Sequence, residues 1–163
     1  MWTTVVINHF TREHFDANKN HHPKPPRHMA YLCWRFPTKD WHKLNVDGSL
    51  HKDLGMDLAW NCGYRSLEIE MDSLVAVQLV LSPIDNIHPL FSLVANCQDL
   101  LERDRHVILT HVYRECNSVA DMLASLGHCF DHGCRIFTSP PPEAIEFYEA
   151  DLLGFTKPRL VLS

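Results

Sequence analysis

Three aspartates, Asp47, Asp72 and Asp121, stand where their carboxylates could meet. Asp47 lies in the run KLNVDGS. Asp72 lies where SLEIEM gives way to an apolar stretch. Asp121 lies in the first turns of VADMLASLG, behind the β-branched run HVILTHVY. Clustered carboxylates bind hard divalent cations through oxygen. Two such cations can activate water and stabilise a leaving oxygen in phosphodiester cleavage. Each aspartate also has an ordinary structural alternative: Asp47 beside Gly48 as turn chemistry, Asp72 as a helix N-cap, Asp121 as a partner of the helix dipole. Other chemistry-bearing residues point less far. His128, Cys129, His132 and Cys134 are crowded into the seven residues HCFDHGC, without the second, spaced pair that a zinc site needs. Cys116 has no oriented base to make it a nucleophile, and His111 reads equally as a core histidine or an active-site one.

The elements that must position these residues alternate. KLNVDGS is a short strand with Leu44 and Val46 on one face. Asp53–Cys62 reads as a short helix stopped by Gly63. Ser66–Met71 alternates Leu67, Ile69 and Met71 against Glu68 and Glu70, a second strand. LVAVQLVL is a helix ending before Pro83, and Asn86 to about Asp104 is another, by its apolar spacing. His106–Tyr113 reads as a strand buried on both faces. Ser118 is the expected cap of the helix ended by Gly127. The order β, α, β, α, α, β, α predicts an α/β layer with a mainly parallel sheet, whose three aspartates then share one end.

Around this body lie an arm and a tail. Residues 11–30, rich in Pro and His without a period, read as a linker or disordered arm. The next block, YLCWRFPTKDW, reads as docking on a neighbouring surface. The expected division is an arm over 1–40, a core over 41–134 and a tail over 135–163 with a short helix at Glu143–Leu153. Residues 1–43 carry seven Lys/Arg and three Asp/Glu, a net +4, and residues 44–163 carry eight and seventeen, a net −9. A total of −5 excludes nucleic-acid binding by bulk charge alone. Arg65, Arg114, Arg135 and Lys52 are the candidate phosphate contacts. No apolar run approaches the ~18–20 residues that span a bilayer. Met1–Phe10 lacks the basic start of a secretory signal, so six free thiols in a reducing compartment, nucleus or cytoplasm, are expected.

Three segments carry a resemblance: Trp41 with HKLNVDGS, LEIEMDS at 67–73, and HVYRECNSVADMLA at 111–124. Together they resemble the ribonuclease H-like domain of plant retroelement reverse transcriptases and their stand-alone relatives, over roughly Trp41 to Leu160. The tail, with Phe137, PPP and GFTKPRL, is similar to the stretch C-terminal to that domain in those relatives. The resemblance implies a type 1 ribonuclease H fold and cleavage of the RNA strand of an RNA–DNA hybrid, with Mg²⁺ or Mn²⁺ as cofactor. It implies Asp47, Asp72 and Asp121 as catalytic, metal-binding carboxylates. It implies Arg114 and Asn117 as nucleic-acid-binding residues, and His111 and Glu115 as supporting members of the motif.

The chain departs from the family at a fourth carboxylate, a Glu in the helix between the first strand and the strand ending at Asp72. Between Ser49 and Gly55 there is only LHKDL. Two strands and the start of that helix have no counterpart, so a truncated fold is expected, with the first strand at an edge. Asp53 and Asp57 fall too late along the helix to substitute. Glu70 would lie about 6.6 Å from Asp72 at ~3.3 Å per residue. Three readings remain: a nuclease with reduced activity, a catalytically dead nucleic-acid-binding or interaction module, or a truncated retroelement product.

Overall fold

The computed structural model describes residues 4–7, 26–47, 54–103, 106–127 and 134–162. In chain order they form β1 (Thr4–Ile7), β2 (Arg27–Leu32), β3 (His42–Val46), α1 (Leu54–Asn61), β4 (Ser66–Met71), α2 (Leu74–Leu81), α3 (Phe91–Glu102) and β5 (His106–His111). A 3-10 turn at Arg114–Cys116 leads into α4 (Ser118–Gly127). Beyond it come β6 (Cys134–Phe137), a second 3-10 turn at Pro142–Ala144, α5 (Ile145–Leu152) and β7 (Lys157–Leu162).

The centre is a three-stranded parallel sheet in the order β3-β4-β5, an α/β arrangement. Alternation in β4 decides its faces: Leu67, Ile69 and Met71 are buried, while Glu68 and Glu70 point to the other side. The helices cover the apolar face. Met56 and Ala59 of α1 and Leu101 of α3 pack on Leu67 and Ile69; Ala76 and Val77 of α2 pack on Met71. Helix α1 ends at Gly63, whose φ of +82° suits a residue without Cβ. The Gly63 N–H bonds to Trp60 O and the Tyr64 N–H to Ala59 O, closing the carbonyls of the last turn. Helix α2 ends differently: Gln98 Nε2 on α3 donates to both Val80 O and Ser82 O, satisfying carbonyls that no residue further along α2 can reach.

Several expectations are corrected. Strand β5 is not buried on both faces: its exposure alternates, and Ile108 is 49% exposed. Among the described residues it lies at the sheet's edge, and its second face lacks a full covering layer. Ser118 is the first helical residue of α4 rather than its cap, and Asn117 O accepts the Asp121 N–H at 3.0 Å. The expected arm is partly folded. Strand β2 pairs antiparallel with β7, from Arg27 opposite Leu162 to Leu32 opposite Lys157. Strand β1 pairs antiparallel with β6. Both partners lie in the tail or next to it, so no local period announces the pairing. Between β2 and β3, Trp34 is buried against the polar face of the sheet, its Nε1 donating to Asn45 Oδ1 at 3.0 Å. A second small core joins Leu123 of α4 to Ala144, flanked by Val119, Met122, Leu126 and Phe137. Among the described residues no helix is long and apolar enough to cross a membrane.

Candidate functional site

The parallel register brings two of the aspartates side by side. Val46 is opposite Met71, so Asp47 and Asp72 each come next at the same end of neighbouring strands. Helix α4 is fastened to that end: Asn117 Nδ2 donates to Val46 O at 2.8 Å. The chain leaving β5 is fastened there too, through Val112 N–H to Met71 O at 2.9 Å. Asp121, in the first turn of α4, and Arg114, in the 3-10 turn, are thereby brought to the two strand ends.

Arg114 joins this group through Asp121. Its Nε donates to Asp121 Oδ1 at 3.1 Å, and its Nη2 donates to the same oxygen. The guanidinium holds its proton more tightly than usual, through the hydrogen bond to Asp121, then the Asp121 charge, then the charges of Asp47 and Asp72; partial burial opposes these. Asp72 is spared from capping, because Ser73 Oγ accepts the Ala76 N–H at 3.3 Å instead.

The residues do not fit a metal as they are arranged. Among the described residues no group of three His, Cys, Asp or Glu side chains is placed to hold an ion. One carboxylate oxygen of Asp121, Oδ1, is committed to Arg114, a cation already in place. The two substitute acids within the described residues are committed elsewhere. Glu70 accepts from Lys43 Nζ and, at 2.9 Å, from Asn45 Nδ2, beneath the Trp34 segment. Asp57 accepts from Arg103 Nη1 at 2.9 Å, at the end of α3 from which β5 begins, the opposite end of the sheet. Asp53, Lys52 and residues 128–133 of the His/Cys run lie outside the described residues.

Other expected site residues have different surroundings from those the sequence suggests. Asn117 is 1% exposed, too deep to touch a nucleic acid; it positions α4. Its Oδ1 is buried and has no hydrogen-bond partner among the described residues. Glu115 takes two hydrogen bonds from Arg159 Nη1, at 2.9 and 2.8 Å, and so clamps β7. Arg159 also lies 4.5 Å over the Tyr113 ring. His111 ends β5 and meets Tyr113 edge-on at 5.5 Å. Burial, with help from Glu70, Cys33, Glu115 and Asp151, pushes the Cys116 thiol up. It is therefore a poor nucleophile. Arg65 donates to Trp60 O and stacks over the Trp60 ring at 4.0 Å, again at the far end of the sheet. Arg135 stands on β6.

Sequence reasoning missed two features of the neighbourhood. Lys157 Nζ donates to Glu115 O at 3.3 Å and to Ser118 Oγ, completing the clamp on β7. Asp151 of α5 is 8% exposed, and its carboxyl is pushed up to about 6, by burial first and then by Glu70, against the pull of Lys157. Neither residue carries a local signal, since each acquires its partners only when the tail folds back.

Residues 53–127 match the family described as reverse transcriptase-like. Over 107 residues the chain is 36% identical to a putative ribonuclease H protein of Arabidopsis thaliana; the aligned part is 66% of this chain and 17% of that relative. No solved structure matches the chain. The matched segment contains α1, β4, α2, α3, β5, α4 and most of the site: Asp72, Arg114, Asn117 and Asp121. These similarities and the helices packed on a parallel sheet support a reverse transcriptase-like, ribonuclease H-like domain with an α/β fold.

Proposed function

We propose that this chain is a nucleic-acid-binding ribonuclease H-like module. It takes RNA–DNA hybrid or a duplex of similar shape, and its hydrolysis of the RNA strand is lost or strongly reduced. The observation that carries the reading is the meeting of Asp47, Asp72 and Asp121 with Arg114 at one end of the parallel sheet. The place is that of a hydrolytic centre in the family the chain resembles, but one of its carboxylates is already paired with an arginine. Two further points support lost hydrolysis. The 25 positions from Asp47 to Asp72 contain no counterpart of the family's Glu. Glu70 and Asp57 are held in ion pairs. On this reading the core over 41–134 is a shortened ribonuclease H-like fold, with two strands and the start of a helix absent.

Such duplexes are recognised by shape and by 2′-hydroxyls in the wide minor groove. With an acidic body and few cations near the sheet end, about one to three phosphate contacts are expected. The logarithm of affinity should then fall with that of salt at a slope of about −1 to −3. The test is a labelled hybrid titrated at several salt concentrations, then incubated with Mg²⁺ or Mn²⁺. Salt-dependent binding without cleavage is expected. Cleavage abolished by Asp72→Asn would show an active nuclease instead, and absence of hybrid binding at low salt would remove the module reading.

A further inference from the structure

The three aspartates and Arg114 stand together at one end of the parallel sheet, with Arg114 paired to Asp121. Asp47 and Asp72 leave adjacent parallel strands at the same level. Like charges so placed repel unless a cation stands between them. Arg114 and Asp121 are held at this level by two independent tethers, Asn117 Nδ2 to Val46 O and Val112 N–H to Met71 O. Each tether is made to the residue just before one of the strand aspartates. The arginine is thus delivered by the backbone, and its two donors to one Asp121 oxygen fix the side chain.

We infer that Arg114 is the resident counter-cation of the Asp47, Asp72 and Asp121 cluster and excludes divalent ions from it. A divalent ion that takes Asp121 Oδ1 must displace the two hydrogen bonds from Arg114 and approach a guanidinium of like sign. The consequence is a domain whose folding and duplex binding are indifferent to Mg²⁺ and Mn²⁺. The inference rests on the proposed function only for the identity of the cluster, and its test uses no nucleic acid, so the two fail separately.

The probe is Mn²⁺ alone, titrated into the full chain and followed by loss of the free-ion electron paramagnetic resonance signal. Wild type is expected to bind no Mn²⁺ at the cluster in the micromolar range. Arg114→Gln removes the charge and should bind at least about tenfold more tightly, the size expected for deleting one adjacent like charge near a protein surface. Arg114→Lys keeps the charge and should behave as wild type. Adding Asp72→Asn to Arg114→Gln should abolish the gain, which places the ion at the cluster. Equal Mn²⁺ binding by wild type and Arg114→Gln, or a gain that survives Asp72→Asn, would overturn the inference. Should Arg114→Gln fail to fold, wild type alone decides. The Arg114 Nε–H resonance should persist unchanged in millimolar Mg²⁺, and its loss on adding Mg²⁺ would overturn the inference.

Discussion

Asp151 offers the sharpest quantitative test of how the tail is packed. Its carboxyl lies in α5, 8% exposed, and its pKa is pushed from 3.8 up to about 6. The native state therefore holds a proton that the unfolded chain releases between those two values. Below about pH 4 both states are protonated and the group costs nothing. As pH rises towards 6 the folded form loses stability, and above 6 it carries the full cost of an ionised buried acid. Moving the carboxyl from 3.8 to about 6 corresponds to about 3 kcal/mol. Replacing Asp151 by Asn removes the titration and keeps the shape. Lys157 keeps its bonds to Glu115 O and Ser118 Oγ, so it is not stranded. Urea unfolding of both proteins at half-unit steps from about pH 4 to 8 isolates the effect, since every other titrating group is common to the two. The stability of Asp151→Asn relative to wild type should rise by about 3 kcal/mol across that range, roughly 6–12 °C in Tm for a chain of this size. A difference that is flat with pH, or that falls as pH rises, would refute the placement of Asp151 in a desolvated site.

Three other outcomes are expected from the same packing. Asn117→Ala should cost about 1–3 kcal/mol in denaturant unfolding, because Val46 O then loses its buried donor. Glu115→Gln should weaken the clamp on β7 by about 1 kcal/mol, the pair being partly exposed. Hydrogen exchange should then speed up in β2 and β7 while β4 stays protected. Trp34→Phe should cost about 1 kcal/mol through the lost bond to Asn45. Trp34→Ala should cost about 3–5 kcal/mol by leaving a cavity over the Lys43–Glu70 pair. Equal losses for the two Trp34 variants, measured by urea unfolding, would mean that packing there contributes little.

Residue patterning alone determined the central sheet and the residues it positions. Alternation in KLNVD and SLEIEM fixes which faces are apolar, and helical spacing between the strands requires parallel crossovers. Those two facts already put Asp47 and Asp72 at one end, and the HVYRECNSVADMLA run added Arg114 and Asp121. Tertiary structure decided the rest, because the rest depends on partners far along the chain. RHMAYL shows no period that marks it as a strand, yet it becomes β2 when β7 supplies its hydrogen bonds from more than a hundred positions away. Asn117 and Glu115 look like surface motif residues until the strand end and the tail place Val46 O and Arg159 against them. Arg114 shows the division most clearly. Its sequence position says only that a cation is near the acids. The tethers to Val46 and Met71 decide that it sits at the same sheet end as the acids, where it offsets part of their charge through Asp121.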